Sequence, residues 1–462
     1  MKILIAMSGG VDSSVAAGLL CKDGNECIGA TMKLYHNEDA GIPRAHTCCS
    51  LDDVEDARSV CYKLGIPYYV FNFSDDFGEK IIDKFVRSYE AGLTPNPCID
   101  CNRYMKFDKL YQRAEILGCD HIATGHYARI TFENGQYQLR KALDETKDQS
   151  YVLYDMTQQR LARTLFPLGE LRKTEARDLA READFINADK PDSQDICFVP
   201  DGDYAKIIEL RTGKKSEPGN FVDKSGSILG RHNGIIRYTI GQHRGLGLSL
   251  SQKYYVCEIR PEDNTVVLGE SADLFHRGVQ VQDMHWIAGS APETVFRCKA
   301  KLRYRHPEQP VCVTVQEDGR VQLMFDEPQR APTPGQYAVL YDGDIVLGGG
   351  VILRVSGADL VDGTPVYDVK PYLPAADKIE TATGGFSDEH ARDFLHVCFP
   401  PELLEKIPEN KRDGLIACLA DDPRPAYQND PARVYGMKFA DFDVRFTIGG
   451  NTLTVCAVEK IG

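Results

Sequence analysis

Cys98 and Cys101 stand three residues apart in TPNPCIDCNRYMKF (residues 94–107), behind two prolines and ahead of a helical pattern. A Cys-x-x-Cys pair can ligate zinc, exchange disulfides or attack a substrate. A zinc site usually needs two further ligands at similar spacing, and the chain has no second Cys-x-x-Cys, so the pair points to chemistry more than to structure. Asn102 is expected to cap the helix that follows, setting Cys101 near a helix N-terminus, where a thiol's pKa falls. A second chemical stretch, SGGVDSS (residues 8–14), lies between an apolar run and a helical pattern. Main-chain N–H groups and the helix dipole favour an anion there. Gly9 and Gly10 would let the chain approach phosphate oxygens, with the hydroxyls of Ser8, Ser13 and Ser14 as donors. Asp12 would either hold Mg²⁺ or cap the helix. No Gly-Lys-Ser/Thr pattern occurs anywhere, so hydrolysis of a γ-phosphate is not the natural chemistry.

The elements that must position these residues follow from periodicity. KILIAM (2–7) reads as a central parallel strand and residues 13–20 as a helix. Further apolar runs, ECIGATMKL, PYYVFNF and DHIATGH, alternate with helical patterns such as SLDDVEDARSVCYKLG and DFGEKIIDKFVRSYEAG. This alternation predicts an α/β fold with a doubly wound parallel sheet over residues 1–203, its ligands at the strand ends. Shorter β-rich segments then predict a small central domain (204–270) and an antiparallel β-barrel (271–372). A linker (373–385) leads to an accessory α+β module (386–462), with a helical PPELLEKIPENKRDGLIACLADD and a hairpin turning at Gly-Gly-Asn. With 462 residues, several domains are expected. The net charge of −14 argues against a polybasic coat, although a local basic patch is compatible with it. Fifteen cysteines, an odd number, follow an N-terminus whose apolar run breaks too early for a signal peptide. No run reaches the roughly 20 apolar residues that cross a bilayer, so the expectation is a cytoplasmic protein with mostly reduced thiols and no membrane partner.

Taken together, SGGVDSS, CCSLDDVEDAR, TPNPCIDCNRYMKF, ATGHYARI, KDQSYVLY, DSQDICFV, YTIGQHRGLG, KLRYRH and PTPGQYAVLYDGDIVLGGG resemble the bacterial tRNA-specific 2-thiouridylase family. They run in order over some three-quarters of the chain, and the loop resembles the PP-loop of ATP pyrophosphatases. The resemblance implies 2-thiolation of the wobble uridine in the tRNA anticodon loop. A uracil carbonyl oxygen leaves poorly, so ATP first adenylates it, and sulfur then attacks C2 and expels AMP. ATP and Mg²⁺ would be held by Ala6, Met7, Ser8, Gly9, Gly10, Val11, Asp12, Ser13, Met32 and Gly125. Cys197 would receive a terminal sulfur as a persulfide from a donor protein, and Cys101 would complete the transfer, either by attacking the activated base or by resolving the persulfide, which leaves a Cys101–Cys197 disulfide; sulfide would be the source only where an open iron site accepts it. Where the best-known branch has Asp, this chain has Cys98. Cys98, Cys101 and Cys197 would alternatively hold a 4Fe-4S cluster with one open iron, and the two routes stand level.

The resemblance also places tRNA contacts at Asn96, Pro97, Cys98, His126, Lys147, Asp148, Gln149, Arg303, Tyr304 and Gln336. Read alone, His126 is a structural histidine and Lys-Asp-Gln a turn. In RCKAKLRYR, Arg297, Lys299, Lys301, Arg303 and Arg305 alternate, so a strand would align five cations as a phosphate track. A solvated barrel face is the bland reading of the same pattern. The last eighty or so residues resemble the C-terminal module of a tRNA threonylcarbamoyladenosine methyltransferase family.

Overall fold

Ile3, Leu4 and Ile5 are fully buried, which places β1 (Lys2–Ala6) at the centre of a sheet covered on both faces. In this computed structural model the residues described are 1–35, 51–192, 196–199, 202–248, 252–356, 395–420, 433–440 and 442–460. Cys48 and Cys49, Ser193 to Asp195 of DSQDICFV, the linker 373–385 and the DDPRPAYQND stretch lie outside them. The sheet also contains β2 (Glu26–Lys33), β3 (Tyr68–Asn72), β4 (His121–Ala123) and, beyond the hairpin β5 (Ala128–Glu133) and β6 (Gln136–Lys141), β7 (Thr164–Leu165). All pair in parallel in the order β3–β2–β1–β4–β7. The order reverses between β1 and β4, which opens a crevice at their carboxyl ends. PYYVFNF reads as a buried run but forms the edge, leaving Tyr69 and Val70 exposed.

A four-stranded sheet follows, in the order β10–β11–β8–β9, from β8 (Gly219–Val222), β9 (Ile228–His232), β10 (Tyr255–Arg260) and β11 (Thr265–Gly269). Phe221, Tyr238, Val256, Val266 and Leu268 form its core. The next six strands, β12 (Phe275–Trp286), β13 (Val295–Lys301), β14 (Gln309–Val315), β15 (Val321–Arg330), β16 (Tyr337–Asp342) and β17 (Ile345–Ser356), close into an antiparallel barrel, because β12 pairs with both β15 and β17. Closure removes the unpaired edges that an open sheet would expose. The β5–β6 hairpin extends this sheet through Ile345 opposite Arg140. Asp344 fixes the junction by accepting from Arg129 (2.8 Å) and Arg140 (2.9 Å).

Residues 362–462 form a separate unit. Its sheet runs β18 (His396–Cys398), β21 (Thr452–Lys460), β20 (Phe442–Gly449), β19 (Tyr435–Phe439). The expected hairpin is there, turning through Gly450 at positive φ. The single helical stretch is instead two helices, Pro401–Leu404 and Glu409–Ala420, separated at Pro408, which has no N–H to continue the first.

Candidate nucleotide and thiol site

The loop after β1 enters helix α1 (Val11–Lys22) through Gly10, whose N-cap position has no side-chain hydrogen bond. Ser8 is exposed and its Oγ lies 3.3 Å from Ser13 Oγ, so the hydroxyls cluster at a helix start with open main-chain donors. This arrangement fits a phosphate group. Met7 and Val11 are buried, and the main-chain N–H and C=O of Met7 already bond Ala30 and Thr31. Met7 therefore shapes the loop from within the sheet. Gly125, just after β4, has a close-approach role: a Cβ there would lie 2.7 Å from the main chain of Asp12 and Ser13. The ends of β1 and β4 can meet at the crevice only because that position lacks a side chain. Asp12 is no cap. Its carboxylate accepts from Lys173 Nζ (2.7 and 2.8 Å) and from the Tyr127 hydroxyl (2.9 Å).

The thiol helix starts earlier than expected. Asn96, not Asn102, is its cap: Asn96 Oδ1 accepts from the Cys98 N–H at 3.2 Å. Asn102 is buried and donates to the Val152 carbonyl. Cys98 thus occupies the first turn, where the dipole acts, and Cys101 the second. At Cys101 the helix widens into i→i+5 turns as far as Lys109, a form often found at functional sites. Asp100 cannot stand in for a carboxylate at position 98. It is buried and paired with Lys84 at 2.7 Å, and burial raises its pKa against the pull of that lysine. Cys101 and Cys197 border the same apolar cluster, built on Phe77, Phe85, Met105 and Phe198, and Met32 from the end of β2 borders it as well. The Tyr35 hydroxyl donates to the Cys197 carbonyl at 2.8 Å. Among the described residues no group of three or more His, Cys, Asp or Glu side chains is arranged to hold a metal ion. The three thiols therefore do not fit a cluster in this arrangement.

The positions expected at an RNA surface divide. His126 is buried, with Nδ1 2.7 Å from Thr124 Oγ1 and Nε2 3.3 Å from Lys106 Nζ. Burial and that ammonium hold its pKa well below the usual range. Both ring nitrogens thus have neighbours within the protein. Asp148 accepts from the Ala142 and Ser150 N–H groups and the Ser150 hydroxyl, and Gln149 Oε1 accepts from the Tyr127 N–H, so Lys-Asp-Gln is a turn that fixes its surroundings. Lys147 pairs with Asp192 at 2.9 Å. The cation stripe is broken, because β13 ends at Lys301. Lys301 sits over the Tyr341 ring and Arg303 turns inward to Thr333 Oγ1 and the Ala331 carbonyl. Pro97 is buried, Cys98 and Tyr304 are exposed, and the Tyr304 ring lies 6.0 Å from that of Tyr151. Gln336 Nε2 donates to the carbonyls of Thr94 (2.8 Å) and Pro95 (3.3 Å). The Thr94 N–H in turn donates to the Pro334 carbonyl. Gly335, at φ +87°, leaves no room for a Cβ, which would meet Leu93 and Thr94 at 2.9 Å. The barrel therefore clamps the segment that leads into Cys98 and Cys101.

Family models match a tRNA methyl transferase HUP domain at residues 1–201, a tRNA methyl transferase PRC-barrel domain at 207–270 and an aminomethyltransferase β-barrel domain at 276–352. The tRNA-specific 2-thiouridylase of Carboxydothermus hydrogenoformans is 49% identical over 354 residues, 76% of this chain and 97% of that protein. The chain belongs to the tRNA-specific 2-thiouridylase family. The 2-thiouridylase of Acetivibrio thermocellus is likewise 49% identical over 354 residues, covering 76% and 99%, and that of Clostridioides difficile 47% over 353 residues, covering 76% and 98%. A TrmO C-terminal domain matches residues 393–461, beyond the part shared with these 2-thiouridylases, and a tRNA-methyltransferase O N-terminal domain matches 338–378, overlapping the end of the β-barrel match. The resemblance of the last residues to a second tRNA-modifying family is thereby shown.

For a member of the 2-thiouridylase family, the residues that sequence reasoning missed lie between 134 and 192. Asn134-Gly135, both at positive φ, form the tight turn of the β5–β6 hairpin, a signal readable in the sequence as Asn-Gly between alternating runs. Lys173, Asn187, Lys190 and Asp192 surround the phosphate loop, and nothing in their spacing announces it. Asn187 Nδ2 donates to the Gly9 carbonyl and Ser14 Oγ, both at 2.9 Å.

Proposed function

We propose that this enzyme 2-thiolates the wobble uridine of tRNA at the expense of ATP, with sulfur carried by cysteine. The uracil O2 attacks the α-phosphorus of ATP, the bond to the β-phosphate breaks, and pyrophosphate leaves with that electron pair. The terminal sulfane sulfur of a Cys197 persulfide, transferred from a persulfide-carrying donor protein whose own thiol is the leaving group, then attacks C2. The Cys101 thiolate attacks the Cys197 sulfur and breaks the persulfide bond, AMP departs with the former O2, and a Cys101–Cys197 disulfide remains for an external thiol to reduce. Both thiols border one cluster together with Met32, an expected nucleotide contact. This shared border is the single observation that supports the reading most.

The loop's open helix start and hydroxyls would orient the triphosphate, and Asp12 is the side chain that would hold a Mg²⁺ beside it. Such an ion would offset the negative charge that builds on the leaving pyrophosphate. The target base must leave the anticodon stack, because C2 is out of reach within it. Asn96, Cys98 and Tyr304, at the mouth of the thiol segment, are the side chains best placed to receive it. In this reading residues 1–203 carry the chemistry, the barrel (271–372) holds the thiol segment in register, and the module 386–462 adds RNA contact. Single-turnover thiolation of a tRNA with an unmodified wobble uridine tests the proposal. ATP-dependent 2-thiouridine with AMP as co-product supports it, and thiouridine formed without ATP overturns it.

A further inference from the structure

Tyr35 stands two residues past the end of β2, the strand that carries Met32. It is buried, so its hydroxyl needs a partner inside the protein. The Cys197 main-chain carbonyl, 162 residues away in sequence, accepts from it at 2.8 Å. Cys197 itself lies in a tight turn, closed by the Val199 N–H donating to the Ile196 carbonyl at 2.8 Å, with Cys197 and Phe198 as the central residues. Phe198 is buried and meets Phe77 and Phe85 edge-on, at ring separations of 5.8 and 5.2 Å. Tyr35 packs on the same Phe77 ring at 5.8 Å. Phe77 thus supports both the residue that grips Cys197 and the residue that follows it.

We infer that Tyr35 is a positioning residue for sulfur transfer: by holding the Cys197 carbonyl, its hydroxyl sets the direction in which the Cys197 sulfur meets Cys101. The inference rests on the proposed route through a Cys101–Cys197 disulfide. In that step the Cys101 thiolate bonds the Cys197 sulfur, the bond from Cys197 to the sulfane sulfur breaks, and its electron pair stays with the sulfur on the base. Attack at sulfur runs in line with the breaking bond, so direction counts as well as distance. The Cys197 side chain is only partly buried, but with its carbonyl and the next residue fixed the thiol keeps a single rotatable bond with about three staggered positions. Cys101 is fixed by its own neighbours: Asp100 pairs with Lys84 at 2.7 Å, Asn102 donates to the Val152 carbonyl at 3.0 Å and Arg103 pairs with Asp155 at 2.5 Å. Tyr35 acts through the Cys197 main chain, and loss of its hydroxyl frees one of two rigidly held partners.

The test equilibrates the full-length enzyme with reduced and oxidised glutathione, quenches by alkylation, and quantifies the peptide pair linked through Cys101 and Cys197 by mass spectrometry. Oxidised glutathione is the oxidant, and each closure of the pair releases two glutathione thiols. In the unaltered enzyme the effective concentration of one thiol at the other is expected to exceed about 100 mM, against the millimolar values of groups on short flexible tethers. Tyr35→Phe, which removes only the hydroxyl, should lower that value about threefold or more and slow single-turnover thiolation by a similar factor. Pyrophosphate release and affinity for a non-hydrolysable ATP analogue should change by less than about twofold. A merely structural role would weaken analogue binding and thiol closure together, and such a joint fall overturns the inference. So does a Tyr35→Phe enzyme whose pair closes within about threefold of the unaltered one. An effective concentration below about 100 mM in the unaltered enzyme also overturns it, even if the variant fails to fold. An unaltered enzyme that forms no Cys101–Cys197 disulfide at any glutathione ratio instead contradicts the proposed function, and the inference falls with it.

Discussion

The phosphate loop and the thiol segment solve the same problem, holding reactive groups still, in opposite ways. Ser8 to Ser14 is one contiguous strand–turn–helix connection whose proposed anion-binding groups are its own main chain and hydroxyls. The thiol site is assembled from parts distant in sequence: Cys101 follows a segment gripped by barrel residues 334–336, and Cys197 hangs from Tyr35. A site carried by local backbone tolerates change far away. A site built by docking fails when the dock shifts.

Breaking that contrast begins with the sulfurs. Cys101→Ser and Cys197→Ser should each lower single-turnover thiolation by about 10³ or more, while loop variants act first on nucleotide affinity. Gly335→Ala probes the dock. The added Cβ has no space and the backbone stands at positive φ, so the thiol segment must move. Thiolation should fall by about 10²-fold, as displacements near 1 Å typically cause, whereas affinity for an ATP analogue should change by less than about threefold. If both fall together, the barrel's grip is not specific to the thiols. Asn187→Leu probes the loop's own support. Its lost hydrogen bonds to Gly9 and Ser14 should cost about 1–3 kcal/mol in urea-unfolding stability. The smallest effect is expected at the former cation track. Arg297→Ala should change tRNA affinity by less than about twofold and leave its salt dependence nearly unaltered, since Arg297 is exposed and already paired with Asp326.

A pH titration sharpens the account of His126. Its folded pKa is depressed by burial and by Lys106, so the unfolded chain takes a proton that the folded one refuses. Stability is then complete above about pH 6.5 and declines as pH falls below it, by up to about 1.4 kcal/mol per pH unit. His126→Gln should flatten part of that decline between pH 7 and 5. An unchanged slope would assign the decline to other groups.

The same contrast explains what could be read from the residues alone. KILIAM, SGGVDSS and the strand–helix alternation specify a parallel sheet with an anion site, because each element's pattern states its own burial. The Gly-Gly-Asn hairpin was legible for the same reason. The thiol helix was misjudged by six residues because Asn96 and Asn102 are both competent caps, and only the Val152 carbonyl, brought in by tertiary packing, decides between them. The cation stripe failed because period-two alternation continues past Lys301 while the strand does not; Thr333 and Ala331 draw Arg303 inward. Lys173 and Asp192 were invisible, since a salt bridge spanning 161 residues between Lys173 and Asp12 leaves no local trace.

The most direct measurement is the fate of the two thiols in one catalytic cycle. Enzyme loaded with a persulfide on Cys197 would be mixed with ATP and unmodified tRNA, quenched by alkylation, and digested for mass spectrometry. The account predicts one Cys101–Cys197 disulfide for each 2-thiouridine formed, and neither product when ATP is withheld. Thiouridine appearing at full yield with both cysteines still alkylatable, or in the Cys101→Ser variant at an undiminished rate, would contradict it.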